Sequence, residues 1–532
     1  MSKAVPGYPY YTSTAWKRLI QSTPSSYTIW KDGTTYRAEC NVAGGTDYGD
    51  PDASTVIQAA IATGRKLFFK SGTYPAQFNI NVPNVTIDGE RGALIDASGL
   101  SGSPAIIIDT SNVGLRGLRV MGSSDHDAVN ILYNSSNILV EGLTILSAGR
   151  FGINIYVDDD AQTCHDIKII GNTISNTTSH GIAVGSDARQ GYIRDLTMAN
   201  NTVSQNGNGA FSCGICLDTI KGGPFTVLGN YVEESWESGI HIEAVEGDVT
   251  TESNTCFNNG QNPASVYGAG ILVSTTEQCK VKGNTVSNNN HGIFLSGEPA
   301  GLGRNTIVNV NGNTISQNVR GIRIIGADST GQAHYSILSN NINNNTYVPL
   351  LFDTELVATI HTDSIDFSQN TLLDNNIAGN DPVYLGYLAY LRDYGVPSMN
   401  MNIHENSFVY TSLNAAVTPF RIEGANFKIY NTRVKNISAT LIDIAPATPN
   451  ALAGVGGNDN YVTENSGTGT GDGGQQTIHH LCNFTPTYDQ VFLSERSTGG
   501  ALAYQSAAPD ADHIYVTAVN AKTYNWRVSY SP

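Results

Sequence analysis

Seven stretches of the chain are copies of one phrase: Gly171-Asn172-Thr173-Ile174, Asn200-Asn201-Thr202-Val203, Gly229-Asn230-Tyr231-Val232, Ser253-Asn254-Thr255-Cys256, Gly283-Asn284-Thr285-Val286, Gly312-Asn313-Thr314-Ile315 and Ser339-Asn340-Asn341-Ile342. The Asn-to-Asn steps are 29, 29, 24, 30, 29 and 27 residues. A second phrase, Gly-Ile followed by alternating apolar residues, is interleaved at Gly152, Gly181, Gly214, Gly239, Gly270, Gly292 and Gly321. Each period carries two or three short β-branched runs, such as Ile167-Lys168-Ile169-Ile170, divided by Gly and Asn turns. No period contains the ten or more residues of 3.6-spaced apolar pattern that a helical repeat needs. Short strands separated by turns at a fixed period stack as a parallel β-solenoid. An Asn at one place in every coil tolerates left-handed backbone geometry and can hydrogen-bond the Asn of the next coil.

Working outward, the coils are expected over residues 51–445, with about 13 rungs from residue 75 onward, a rod on the order of 60 Å at ~4.8 Å per rung. Such a rod has open sheet edges at both ends that must be covered. Asp52-Ala53-Ser54-Thr55-Val56-Ile57-Gln58-Ala59-Ala60-Ile61 reads as a capped amphipathic helix that closes the first end, behind an attachment or capping segment at 1–50. At the other end, residues 446–474 read as a Gly/Thr-rich linker, and 475–532 as a small antiparallel, sandwich-like β-domain.

Composition agrees with a coil. The 532 residues include 55 Gly, and only 14% are charged, because corners take Gly and Asn while the interior takes Ile and Val. An apolar content of 40% rules out a disordered polyelectrolyte. A net charge of −17 argues against nucleic acid as a partner, since phosphate contacts need a basic face. No uninterrupted apolar run approaches a membrane span, and Met1-Ser2-Lys3 opens no apolar leader, so no signal peptide is expected. Seven cysteines are too few for a disulfide scaffold. Cys213-Gly214-Ile215-Cys216 spells C-x-x-C, but on a strand residues three apart face opposite ways, so the two thiols are expected not to share a metal.

Over about residues 50–445 the chain resembles the pectate-lyase-like, right-handed parallel β-helix superfamily. The likeness is carried by the opening helix, Gly72-Thr73-Tyr74, Val85-Thr86-Ile87-Asp88-Gly89 and the two ladders. The whole arrangement is similar to tailspike and receptor-binding proteins of tailed phages and archaeal viruses. Ile478-His479-His480-Leu481 with Phe484-Thr485-Pro486 looks like a phrase of small viral tail β-domains. The resemblance implies a homotrimer at the virion tail, attached to tail or baseplate proteins through its N-terminus and directed at host cell-surface polysaccharide. This fold also hosts lyases, hydrolases, epimerases and inert adhesins, so chemistry must come from a site.

Columns can be read off the repeat. If the Ile of each Gly-Ile points inward, the first outward column is Asn154, Ala183, Cys216, His241, Leu272, Phe294 and Arg323. The second is Tyr156, Gly185, Asp218, Glu243, Ser274, Ser296 and Ile325. Asp218 and Glu243 are then neighbours one rung apart, with His241 on the same face as Glu243. Two such carboxylates repel, so one is expected to hold a proton near neutrality, as glycoside hydrolysis requires, with a spacing that favours retention. Trp236 is expected to stack on a sugar, with Glu237, Glu234, Tyr267 and Tyr156 as further substrate contacts. Two coils carry extra loops, Gln205 to Ser212 and Phe257 to Ala269, flanking these rungs. The alternative is a solvated or purely binding pair, or a structural Ca2+ held between the two; no other cofactor is expected. Asp125 and Asp127 form a second cluster. Asp159-Asp160 with His180 is similar to the Asp-Asp and Gly-His-Gly motifs of polygalacturonases, although the Asn-Thr-Asp of that family is missing and Ile325 stands where its Lys would be. Residues 222–279 contain no Lys or Arg and eight carboxylates, which argues against a lyase acting on polyuronate.

Overall fold

The computed structural model describes residues 26–444 and, beyond them, the strands of the C-terminal part. Within 26–444, segments 186–190, 208–210, 297–305, 326–332, 353–363, 376–386, 393–399, 415–417, 424–425, 431–432 and 438–441 and positions 64, 158, 160, 264 and 266 lie outside the described residues.

The chain is an all-β parallel solenoid of about 9 turns with almost no helix. Its two ladders follow the two phrases of the sequence. The residues after each repeated Asn form one sheet: Thr173–Ser175 pairs in register with Thr202–Ser204, which continues to Tyr231–Glu233, Thr255–Phe257, Thr285–Ser287 and Thr314–Ser316. The Gly-Ile strands form the other, with Ile182 opposite Ile215, then Ile240, Ile271, Ile293 and Ile322. All of these isoleucines are fully buried in one continuous core. Each such side chain contributes roughly 1.5–3 kcal/mol of apolar burial.

The repeated Asn fills the corner between the ladders. Asn284 Nδ2 donates to Asn313 Oδ1 at 2.9 Å and to the Thr251 carbonyl at 3.0 Å, while Asn284 Oδ1 accepts from Asn254 Nδ2 and its backbone amide. The chain of contacts runs unbroken from Asn172 to Asn406. The left-handed position expected at this Asn falls one residue earlier, at Gly171, Asn200, Gly229, Ser253, Gly283, Gly312 and Ser339, all with φ between 55° and 65°. The bend there turns the Asn side chain inward, where its amide replaces the hydrogen bonds that the corner backbone gives up. A second buried ladder, absent from the sequence reading, links Asn259, Asn289, Asn318, Asn345 and Asn375.

Residues before the coils do more than precede them. Tyr27–Asp32 pairs antiparallel with Thr35–Cys40 and parallel with Lys66–Phe69, so the segment read as attachment already belongs to the sheet from residue 27. Residues 1–25 lie outside the described residues. A helix at Ala53–Thr63 buries Val56, Ile57, Ala60 and Ile61, with Asp52 accepting from the Ser54 amide and the Thr55 hydroxyl. Beyond the coils, Glu464–Thr470 lies inside the stretch read as a linker. It nevertheless forms a strand paired with Thr523–Ser529, because alternating Thr and Gly leaves the backbone free to pair.

Candidate functional site

The Gly-Ile strands differ from coil to coil in one respect that decides where a ligand can reach. Among the described residues, Ile182–Gly185 and Gly191–Ala199 are separate strands, as are Ala269–Ser274 and Gln278–Lys282. In two adjacent coils there is no interruption, and Ile215–Leu228 and Ile240–Glu252 run on as single long strands. Gly222 and Gly247, paired in register, make this possible. Their φ values of 113° and 137° bend each strand around the corner, and a Cβ at either would lie 2.1 Å from a backbone oxygen. Asp218 and Glu243 stand on these two strands, in register. They are partly exposed, whereas Ser274, Ser296 and Ile325, farther along the same column, are buried.

The first outward column is not exposed. Asn154, Ala183, Cys216, His241, Leu272, Phe294 and Arg323 are all buried. Leu272, Phe294, Ala269 and Ile325 make an apolar cluster separate from the main core. Strand alternation points these side chains away from the coil interior, but neighbouring turns and loops cover them.

His241 joins the exposed carboxylate to the layer beneath. Its Nε2 donates to Glu243 Oε2 at 2.7 Å, and its Nδ1 lies 3.6 Å from Cys213 Sγ. Burial disfavours a charged imidazole, but the Cys213 sulfur and the hydrogen bonds to Cys213 and Glu243 outweigh it and raise the His241 pKa well above its ordinary value. The hydrogen bond from His241, working against burial, in turn holds the Glu243 carboxyl below the usual range. Glu243 is therefore held in its ionised form. Asp218 accepts from the Thr219 hydroxyl at 2.7 Å.

The thiols depart from expectation. Cys213 precedes the strand, which begins at Ile215, so strand alternation does not govern it. Its turn is fixed by a 2.9 Å bond from its amide to His180 Nδ1. The two thiols consequently meet rather than diverge: the hydrogen bond between them, with His241 nearby, lowers the Cys213 pKa and raises that of Cys216.

The other sequence-derived candidates separate into groups. Trp236 bridges the two extended loops through its backbone, its amide donating to the Asn206 carbonyl and its carbonyl accepting from Asn262. Glu234 is exposed and accepts from Gln205 Nε2 at 3.2 Å. Glu237, expected to touch substrate, is instead buried at 4% exposure with Oε2 lacking a hydrogen-bond partner. Burial raises its pKa, opposed by hydrogen bonds from Ser265 and the Phe211 amide, one from each loop. Tyr267 stacks on Phe294 at 6.0 Å and packs against the outer apolar cluster. Tyr156 lies one residue past the Ile153–Ile155 strand, away from the carboxylate rungs.

The polygalacturonase-like fragment does not assemble as a site. Asp159 accepts from the Ala161 amide within its own turn, Asp160 lies outside the described residues, and His180 stacks on Phe151 at 5.1 Å while holding the Cys213 turn. Asp125 pairs with His126 at 2.9 Å, and buried Asp127 accepts from Asn154 Nδ2 and the Phe151 amide. Among the described residues, no three His, Cys, Asp or Glu side chains are grouped to hold a metal ion, and no helix is long and apolar enough to cross a membrane.

This architecture has known counterparts. The right-handed β-helix region family matches residues 79–219, and the family of the periplasmic copper-binding protein NosD matches residues 192–350. No curated protein sequence matches the chain. Among solved structures, the chain is similar to a mutant tailspike protein of E. coli bacteriophage HK620 in complex with a pentasaccharide, at 12% identity and a TM-score of 0.51, covering 90% of each chain. The tailspike protein of Pseudomonas phage LKA1 aligns at 13% identity and a TM-score of 0.45, over 89% of this chain and 92% of that one. A capsular polysaccharide depolymerase, the tailspike protein of Acinetobacter baumannii bacteriophage Fri1, aligns at 12% identity and a TM-score of 0.30, over 90% of this chain and 82% of that one. The chain is thus a right-handed parallel β-helix of the kind found in phage tailspike proteins.

Proposed function

We propose that this chain is a tailspike-like receptor-binding protein that binds host cell-surface polysaccharide along the Asp218–Glu243 face and hydrolyses it there. The observation that carries the reading is the partly exposed carboxylate pair, in register on two long strands that run on without interruption and framed by both insertions. The HK620 tailspike holds a pentasaccharide on the same fold, which is the precedent for a glycan on such a rod.

The roles follow from the hydrogen bonds. Glu243, kept ionised by His241, serves as nucleophile or base, which leaves Asp218 to donate the proton to the leaving oxygen. One rung of separation favours a covalent glycosyl intermediate and retention. Trp236 and Glu234 lie at the rim as sugar contacts. The acidic surroundings favour a neutral or basic glycan over a polyuronate. The proposed particle is a homotrimer at the virion tail, with the N-terminal segment joined to tail proteins, a rod of about 13 rungs closed by the helix, and the C-terminal β-domain at its far end. No cofactor is required. A Ca2+ bridging the two carboxylates would compete with sugar for them.

The direct test is incubation with host polysaccharide and measurement of new reducing ends and anomeric configuration. Release that disappears in D218N and E243Q, with binding retained, supports the reading. Binding without release in the unaltered protein would replace it with a non-catalytic glycan-binding spike.

A further inference from the structure

Cys213 and Cys216 stand on the far side of His241 from Glu243, where glycan hydrolysis uses neither thiol. We propose that Cys213 and Cys216 are a redox-active dithiol on the outer face of the β-helix, which a small uncharged peroxide closes to an intrachain disulfide with His241 as proton partner.

Three observations carry it. Cys213 Sγ lies 3.6 Å from His241 Nδ1, and the far nitrogen of that ring is anchored to Glu243 Oε2 at 2.7 Å, so a thiol, a base and an orienting carboxylate stand in line. Cys216 is close enough to act directly on the Cys213 thiol, placing a resolving thiol near the attacking one. The same protein also supplies its own control. Cys164, Cys256 and Cys279 are buried in the main core, where desolvation pushes Cys164 to about 11, Cys279 to about 12 and Cys256 higher still. Among the described cysteines, only Cys213 has an imidazole favouring its thiolate, the reactive form.

Burial selects the oxidant. Cys213 is 1% exposed and Cys216 6%, so bulky thiol reagents are excluded while hydrogen peroxide is small enough to enter. In the first step the Cys213 thiolate attacks one peroxide oxygen. The O–O bond breaks, and the departing hydroxide takes the His241 proton to become water. The resulting sulfenic acid is then attacked by Cys216. The S–S bond forms, and the hydroxyl leaves with the Cys216 proton as a second water. Two thiols are oxidised by two electrons, and one peroxide is reduced to two waters. Closure also removes the sulfur partner of His241 Nδ1 and so reaches Glu243 through the shared ring.

The experiment uses the full-length protein treated with hydrogen peroxide and mapped by non-reducing peptide mass spectrometry over time. The expected product is a Cys213–Cys216 disulfide, formed at least about tenfold faster than any oxidation of Cys164, Cys256 or Cys279. H241N should slow it by a similar factor, and C216S should form no disulfide and leave Cys213 as a sulfenic acid, read by mass spectrometry as the addition of oxygen to that peptide. Oxidation of Cys213 no faster than that of Cys256 and Cys279 in the unaltered protein would overturn the proposal, as would overoxidation of Cys213 with Cys216 left as a thiol. The comparison among cysteines of one folded chain needs no variant, and its outcome is independent of whether polysaccharide is cleaved.

Discussion

Two places on the same rungs obey opposite rules. At the Asn corner, residues 172, 201, 230, 254, 284, 313 and 340 are identical, buried and hydrogen-bonded rung to rung. Along the second outward column, Gly185, Asp218, Glu243 and Ser274 differ from each rung to the next. The corner holds the register, since a displaced rung would orphan amides on two neighbours. With register held there, the partly exposed members of the outward column, Asp218 and Glu243, are free to serve a ligand. The difference teaches that repetition marks scaffold and departure from it marks function.

The contrast can be broken or sharpened by substitution. The largest effect is expected at the outward column: E243Q should lower reducing-end release by about a thousandfold or more, far beyond the fall in urea stability that follows from uncoupling the Glu243–His241 pair. At the corner the signs reverse. N284A leaves Asn254 and Asn313 without side-chain partners and should cost about 2–4 kcal/mol in urea unfolding, with glycan binding intact in the folded fraction. A third test lies between the regions, at buried Glu237. Its folded pKa is raised by burial above the unfolded value, so wild-type stability is full below the unfolded carboxylate pKa and falls as pH rises through the folded one. The urea midpoint of E237Q should therefore gain on wild type from acid toward neutral pH, and parallel curves would refute this. The smallest effect concerns the bend before each Asn: S253G, replacing a residue at φ 56°, should add roughly 0.5–1 kcal/mol.

Much of this was legible in the sequence because a solenoid turns spacing into position. The Gly-Ile and Asn phrases predict the register that places Asp218 opposite Glu243. The second Asn ladder was equally legible, five residues after the first at Asn259, Asn289, Asn318, Asn345 and Asn375. What the sequence did not yield depends on non-periodic contacts. Cys213 was misplaced because strand alternation holds only from Ile215 onward. The burial of His241 and Glu237 comes from turns and loops whose paths have no repeat. The unbroken run of the two long strands had one signal in the sequence, Gly222 followed one rung later by Gly247.

The rung-to-rung pairing also has a mechanical side. Backbone hydrogen bonds between parallel coils point along the rod, from one rung to the next. A pull on the two ends therefore loads every interface between rungs in series. The rod then yields at its weakest interface, and adding coils increases reach without increasing strength. In the proposed role, with one end anchored and the side of the rod holding a glycan, rod length would set where it grips and the poorest-paired rung how hard it can be pulled.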